Sequence, residues 1–204
     1  KVDGIRAVVR EVVEQDFTTL TEEGPTSGLI ATPTVLSRNL EKFRSAQVAQ
    51  RFGDMLHCDG ELAYDPTAPD CLHVTQSHVS SFNKPCETLK YYVFDWCEDA
   101  MCMEPYYLRL EKLTGFVEMR QNPFVEVLPQ LHVDTLDELL AAEEEYLAQG
   151  FEGIMFRSPV GHYKHNRATY RENLIYKLKR FTDSEAYIVD IVEGETNTNA
   201  RETD

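Results

Sequence analysis

The first six residues bring three chemically active side chains close together. Lys1, Asp3 and Arg6 fall in the string Lys-Val-Asp-Gly-Ile-Arg. A lysine amine attacks a phosphorus atom only in its deprotonated form, which nearby cations and a bound metal ion favour. Gly4 would let the backbone approach a nucleotide closely. Such short strings are also common in solvated turns, so the motif needs support from the rest of the chain.

Two later segments offer carboxylates and aromatic rings. Asp59 and Glu61 flank Gly60, and a carboxylate at the end of a strand can bind a ribose hydroxyl or help to hold a metal ion. The structural alternative is a hairpin turn, for which Asp-Gly is typical. Alternation places Tyr92 and Phe94 on one face of a strand, where one ring could stack on a purine base or simply pack in the core.

Basic residues complete the set of candidates. Arg38 follows Ser37, and its planar guanidinium group suits a phosphate. Glu152 opens the string Glu-Gly-Ile-Met-Phe-Arg, directly after a long helical pattern. Lys177 and Lys179 share one face of a predicted strand, where they could close on a phosphate from one side or extend into solvent.

The order of these motifs is more specific than any one of them. The chain contains, in succession, Lys-x-Asp-Gly-x-Arg, Ser-Arg, Asp-Gly-Glu, an aromatic-Asp strand, Glu-Gly-x-Met and Lys-x-Lys. This succession resembles the covalent nucleotidyltransferase superfamily, which comprises DNA ligases, RNA ligases and mRNA capping enzymes. The resemblance extends from Lys1 to about Gly194. It implies a lysine that attacks the α-phosphate of a nucleoside triphosphate, and ATP is the expected cofactor.

The resemblance also implies a role for each residue at the nucleotide. Lys1 is expected to be the catalytic nucleophile that becomes covalently adenylylated. Glu61 resembles the carboxylate that binds the ribose, and Phe94, or Tyr92 beside it, resembles the aromatic ring that stacks on adenine. Glu152 is expected to bind Mg²⁺ or Mn²⁺, and Glu61 can assist it.

The remaining basic residues are expected to contact phosphates. Lys177 and Lys179 resemble the lysines that bind the α-phosphate. Arg6 and Arg38 resemble the arginines that grip the nick and its 5′-phosphate, and we also expect them near the nucleotide. In the segment 163–169, Lys164 and Arg167 could contact the nucleic-acid backbone, although solvated charge explains them equally well.

The motif details favour one branch of the superfamily. Lys-x-Asp-Gly-x-Arg combined with Glu-Gly-x-Met-x-Arg resembles DNA ligases, whereas many RNA ligases carry Asn where Arg6 stands. The segments 163–169 and 177–186 are similar to small DNA ligases of phages and bacteria. We therefore expect a monomeric ATP-dependent DNA ligase that acts on nicked duplexes in a bacterial or phage-infected cytoplasm. An RNA or mixed RNA–DNA ligase and a capping guanylyltransferase remain alternatives.

Composition limits the other classes of function. The net charge of −15 opposes nucleic-acid binding, but basic residues are concentrated between Lys164 and Arg180. No apolar run approaches the roughly 18–20 residues that span a bilayer, so no membrane partner is expected. The five cysteines contain no Cys-x-x-Cys pair, which predicts reduced, mostly buried thiols rather than a zinc site.

The elements that must position these residues alternate without regular βαβ order, which predicts an α+β fold. We predict strands at 5–13, 89–96, 154–156, 176–179 and 187–192. Helices are predicted at 39–52, 104–113 and 136–149, the last with a Thr135–Glu138 capping box and Gly150 after its end. Residues 24–28 are predicted to form a turn or loop.

The resemblance also implies the domain plan. Residues 1–192 are expected to form a nucleotidyltransferase (adenylation) domain of antiparallel sheets flanked by helices, similar to the ATP-grasp fold. Residues 193–204 are expected to be a linker or the start of an OB-fold domain, which usually follows in this superfamily. The acidic segment 10–33 is longer than the connection expected between the first two motifs, and its role is not predicted.

Overall fold

The computed structural model describes residues 1–21, 24–181 and 183–193, and it confirms the α+β class. A five-stranded sheet has the order β2-β1-β3-β4-β5, with all neighbours antiparallel except β4 and β5. Its strands are β1 (Ile5–Thr21), β2 (Gly24–Ser37), β3 (Cys58–Ala63), β4 (Lys90–Trp96) and β5 (Val125–Val127). The predicted strand at 89–96 is therefore confirmed, whereas β3 and β5 were not predicted.

The acidic segment forms the end of a long hairpin. β1 pairs with β2 from Ala7 opposite Ser37 to Thr21 opposite Gly24, but it pairs with β3 only as far as Val8. The prediction of a loop at 24–28 was wrong, because these residues continue the ladder of β2. Beyond Val8 the hairpin extends past the rest of the sheet, so the strand predicted to end at residue 13 runs on to Thr21.

The described residues contain four α-helices, of which the first three pack against the five-stranded sheet: α1 (Ala46–Phe52), α2 (Cys71–Val79), α3 (Tyr106–Arg120) and α4 (Leu136–Ala148). The helix predicted from residue 39 begins only at Ala46. Leu40 has φ +60°, and a bridge between Leu36 and Lys42 holds the intervening residues in a turn. α2 was not predicted, and α3 extends seven residues beyond its predicted end at 113.

The residues at the start and the end of α4 adopt the conformations predicted from the sequence. Thr135 and Glu138 form the predicted capping box. Gly150 has φ +93°, a conformation that favours glycine after a helix. This segment leads directly to the candidate residue Glu152.

The main core lies on one face of the five-stranded sheet. Phe52, Leu62, Val79, Tyr91 and Leu113 are each at most 1% exposed and belong to one apolar cluster. A smaller cluster on the opposite face contains Val2, Ala63, Cys71 and Tyr92. All five cysteines are free and buried, as the sequence predicted.

A second sheet consists of β6 (Ile154–Arg157) and β7 (Ile175–Leu178), which pair antiparallel. Both strands were predicted to within one residue. The strand predicted at 187–192 is wrong, because this segment has no strand partner among the described residues and Tyr187 is 97% exposed. No helix in the described part of the chain has the length and apolarity that a bilayer crossing requires.

Candidate active site

An ion-pair cluster joins the two sheets around Lys1. Lys1 Nζ donates to Glu152 Oε2 at 2.7 Å and to Asp3 Oδ1 at 3.2 Å. The other oxygen of Glu152 accepts from Lys179. Lys1 is mostly buried, with 19% of its side chain exposed. The structure thus brings the predicted nucleophile, the predicted metal-binding carboxylate and one predicted phosphate-binding lysine into direct contact.

Backbone geometry explains how these residues meet. Glu152 lies two residues before β6 and Lys179 immediately follows β7, so antiparallel pairing of the two strands places them together. Gly153, between Glu152 and β6, has φ +151°, and a side chain there would collide with the carbonyl oxygen of Leu178. Gly4 has a similar constraint from the larger sheet: a side chain would meet the Leu62 carbonyl, so packing within the sheet already requires glycine there.

Arg6 is fixed by a buried carboxylate. Asp59 is fully buried and accepts from Arg6 Nε at 2.5 Å and from the second arm of the same guanidinium group. The hydroxyl of Tyr163 donates to Asp59 Oδ2 at 2.8 Å. Asp59 therefore lies inside β3 and orients Arg6, and the hairpin-turn alternative for Asp59-Gly60 was wrong.

Glu61 lies beside Arg6 on the neighbouring strand. The two residues are directly opposite in the β1–β3 register, and Glu61 is opposite Tyr92 in the β3–β4 register. Burial raises the pKa of Glu61 to about 7, although the positive charges of Arg6 and Lys1 oppose the shift. Glu61 can therefore accept or donate a hydrogen bond near neutral pH.

The two candidate aromatic residues have different surroundings. Tyr92 and Phe94 lie on the face of β4 opposite the main core, as alternation predicted, since Tyr91 and Val93 both belong to that core. Tyr92 is 7% exposed and packs against Val2 and Ala63 in the smaller cluster. Phe94 is half-buried, and the centre of the Arg6 guanidinium group lies 5.0 Å from its ring centroid.

A buried network of charged residues near Phe94 was not predicted from the sequence. Asp95 accepts from Arg109 Nε at 2.8 Å and from Arg157 Nη1 at 2.5 Å. Arg109 is 1% exposed and also donates to the Gly161 carbonyl at 3.0 Å. The guanidinium group of Arg157 lies 5.7 Å from the Phe94 ring centroid. The final Arg of the Glu-Gly-x-Met-x-Arg string was a signal for Arg157, but no sequence pattern distinguishes Arg109 from the other helical arginines.

The remaining predicted cations lie at the surface. Arg38, Arg167 and Lys177 are exposed and form no hydrogen bond or ion pair with the described residues. Arg38 follows the Ala7–Ser37 pair, which puts it at the same end of the hairpin as Arg6. Lys164 differs from these three, because it forms an ion pair with Glu172. Unpaired exposed cations can accept a phosphate without first losing a protein partner.

The whole arrangement places the Lys1 amine among side chains of types that can bind a nucleotide. Lys1 contacts or faces three carboxylates, those of Asp3, Glu61 and Glu152. Arginine and lysine side chains converge from both sheets, and one aromatic ring is partly open to solvent. Such a constellation can position a phosphoryl group for attack by an amine and neutralise the charge that develops.

Comparison with known proteins gives a consistent result. The sequence model of the family described as "ATP dependent DNA ligase domain" matches residues 1–179. The DNA ligase of African swine fever virus (strain Badajoz 1971 Vero-adapted) is 27% identical over 107 residues, which cover 52% of this chain and 26% of that protein. The chain thus matches about a quarter of the length of this relative.

Solved structures are similar over more of the chain. The Chlorella virus DNA ligase-adenylate superposes with a TM-score of 0.67 and 25% identity, covering 90% of this chain and 62% of that one. A structure from a study of DNA binding by Lig E DNA ligases superposes with a TM-score of 0.63. Its identity is 22%, it covers 88% of this chain and 60% of that one, and it supports the fold alone.

Proposed function

The chain belongs to the family of ATP-dependent DNA ligase domains, and from that premise we propose that it is the catalytic core of a ligase that seals nicks in DNA. The observation that carries the proposal is that the carboxylate of Glu152 contacts both Lys1 and Lys179. These three residues come from motifs far apart in the sequence. Their convergence next to Arg6, Glu61 and Phe94 supports a single nucleotide site.

The proposed first step is adenylylation of Lys1. The deprotonated Nζ atom attacks the α-phosphorus of ATP, a P–N bond forms, and the bond to the pyrophosphate oxygen breaks. AMP then passes from Lys1 to the 5′-phosphate of a nick, and a 3′-hydroxyl attacks that phosphate and expels AMP. Each step is a displacement at phosphorus, so positioning and charge neutralisation supply most of the catalysis.

The surrounding residues are proposed to hold the nucleotide. Lys179, which shares Glu152 with Lys1, and Lys177, two residues earlier on β7, would neutralise the α-phosphate. Glu61 would bind the ribose hydroxyls. Phe94 would stack on adenine, and its greater exposure supports it over Tyr92, which the smaller apolar cluster covers.

The carboxylates beside Lys1 fit a hard divalent cation. Mg²⁺ typically takes one or two carboxylates together with phosphate oxygens and water, and Glu152 and Glu61 supply such oxygen atoms. When bound, Mg²⁺ or Mn²⁺ would neutralise charge on the phosphates. Both oxygens of Glu152 contact lysines in this structure, so cation binding at Glu152 would compete with the contacts to Lys1 and Lys179.

Nucleic acid is proposed to lie across the exposed cations. Arg38 and Arg167 have no ion-pair partner among the described residues to lose. Asp59 holds Arg6 at the same end of the hairpin as Arg38, where Arg6 would contact the 5′-phosphate. Lys164 would exchange Glu172 for a backbone phosphate. We propose a nicked duplex as the substrate and a monomer as the working form. Residues 1–192 are the proposed nucleotidyltransferase domain. The linker or start of an OB-fold proposed for 193–204 lies, apart from residue 193, outside the described residues. The cytoplasm is the proposed place of action.

The test is covalent labelling of the full-length protein. We expect incubation with α-labelled ATP and Mg²⁺ to give a labelled band on a denaturing gel. The Lys1→Ala variant should lose the label, whereas Lys90→Ala, which removes an exposed lysine paired with Glu126, should keep it. Failure of the wild-type protein to label with ATP would refute the proposal.

Parallel reactions separate the alternatives. Labelling from GTP in place of ATP would indicate a capping guanylyltransferase, and labelling from NAD⁺ would indicate a different class of ligase. Sealing of all-DNA nicks is expected to exceed sealing of all-RNA and hybrid nicks. The reverse preference would identify an RNA or mixed ligase.

A further inference from the structure

Three potential metal ligands meet among residues to which the proposed nucleotide chemistry assigns no role. Asp99 and Cys102 belong to the short 3₁₀ turn after β4, and His165 lies in the loop after β6. Cys102 Sγ is 3.3 Å from His165 Nε2, which is 3.9 Å from Asp99 Oδ1. All three ligand atoms lie within 4.8 Å of one another. Within the described residues, this group alone combines a thiol, an imidazole and a carboxylate at that spacing.

The spacing agrees with tetrahedral coordination. Zinc–ligand bonds of roughly 2.0–2.3 Å at tetrahedral angles put sulfur and nitrogen ligands about 3.5 Å apart and nitrogen and oxygen ligands about 3.3 Å apart. The sulfur–nitrogen separation of 3.3 Å is close to the first value, and the nitrogen–oxygen separation of 3.9 Å exceeds the second by about half an ångström. A bound ion could therefore be accommodated by small side-chain rotations, with the backbone left in place.

The backbone around the three side chains is already fixed. The Tyr163 amide donates to the carbonyl of Cys102 at 2.7 Å, which ties the His165 loop to the 3₁₀ turn. The rings of Tyr163 and His165 meet edge to face, with centroids 5.1 Å apart. Arg109 holds the same loop through the Gly161 carbonyl. A site whose ligands lie on supported backbone loses less conformational entropy when it binds.

Arg10 would compete with a metal ion for two of these ligands, His165 and Asp99. Its Nη2 atom lies 3.0 Å from His165 Nδ1 and 3.2 Å from Asp99 Oδ1. A metal ion on Nε2 leaves the proton on Nδ1, which then needs an acceptor, and a guanidinium group cannot accept. Metal binding would thus require Arg10 to turn away from His165, while its contact with Asp99 could persist.

We propose that Asp99, Cys102 and His165 form a zinc site, separate from the oxygen-rich site beside Lys1. The Cys102 thiol releases its proton to solvent and binds as thiolate, His165 binds through Nε2, and Asp99 binds through a carboxylate oxygen. Water completes the tetrahedron. Thiolate and imidazole ligands select Zn²⁺ over Mg²⁺, which prefers oxygen. The bound ion would lock the loop that carries Lys164 to the turn after β4.

The site can be tested on the full-length protein with Co²⁺ as a spectroscopic substitute for Zn²⁺. We expect wild-type protein to show a thiolate-to-cobalt charge-transfer band that Zn²⁺ abolishes by displacement. Cys102→Ser should lose the band. Cys102→Ser and His165→Ala should each weaken Zn²⁺ binding about tenfold or more, and Asp99→Asn should weaken it less. Arg10→Gln should tighten binding several-fold because the competing cation is gone.

His132→Ala is the matched control, because His132 is also an exposed histidine beside a carboxylate, that of Asp134, at 3.0 Å. It should leave the Zn²⁺ affinity within about twofold of wild type. Absence of the charge-transfer band in the wild-type protein would overturn the proposal, as would wild-type affinity in the His165→Ala variant. His165 and Asp99 are exposed, so their variants provide the test if Cys102→Ser does not fold.

Discussion

Replacing Arg109 should destabilise the protein far more than replacing a surface arginine or lysine. Arg109→Met removes two hydrogen bonds to Asp95, which is itself only 3% exposed. It also leaves the carbonyls of Glu104 and Gly161 without their guanidinium donor. Loss of one partner from a buried ion pair costs about 3–5 kcal/mol. Asp95 keeps Arg157 and the Trp96 amide, so we expect the lower part of that range, about 3 kcal/mol.

The free energy of unfolding from urea titrations at pH 7 measures this cost. Lys90→Met is the control, because it breaks the exposed Lys90–Glu126 pair and should cost less than about 1 kcal/mol. Combining Arg109→Met with Asp95→Asn should cost less than the sum of the two single variants, since both act on one interaction. If Arg109→Met were no more destabilising than the Lys90 control, the buried network would not stabilise the fold and the reasoning would be refuted.

Three further predictions follow from single side chains. The pKa of Glu61 is about 7 in the folded protein against an ordinary value of 4.5, so the free energy of unfolding should fall as pH rises between those values, by at most about 3 kcal/mol. In urea titrations at pH 4.5 and 7.5, Glu61→Gln should reduce this difference in unfolding free energy. An unchanged difference would contradict the assignment of the pH dependence to Glu61. Thr135→Ala should cost about 1 kcal/mol by the same assay through loss of the capping box, and Thr135→Ser should cost less. Phe94→Ala should weaken ATP binding about tenfold or more in a fluorescence titration through loss of base stacking, whereas equal weakening by Tyr92→Leu, which removes the ring, would point to Tyr92 instead.

The local structure around the motifs was predictable because local signals dominate there. Alternation in β4 placed Tyr92 and Phe94 on one face, and the capping box fixed the start of α4. The ordered succession of motifs identified the family. Within the strand, the capping box and each motif, the residues that carry the signal lie only a few positions apart, so neighbouring side chains and backbone preferences are enough to express it.

The wrong predictions concern segments whose structure depends on contacts with residues distant in the sequence. Residues 24–28 contain Gly and Pro and predict a turn, but pairing with the opposite strand continues the hairpin through them. The segment 187–192 has the composition of a strand, but no described strand lies beside it. Asp95 and Arg109 are 14 residues apart, and only tertiary folding shows that they form a buried pair rather than two solvated charges. A local sequence pattern contains no information on the pairing energy between segments that are distant in the sequence.

The contact between Lys1 and Glu152 joins residues that are 151 positions apart in the chain. Their meeting depends on β6 and β7, a two-stranded sheet in which most residues are partly or fully exposed. Such a small unit buries little apolar surface and can open locally without global unfolding. If it opened, Glu152 and Lys179 would separate from Lys1 while the main core remained intact. Catalytic competence would therefore be lost at milder heat or denaturant than the bulk of the secondary structure.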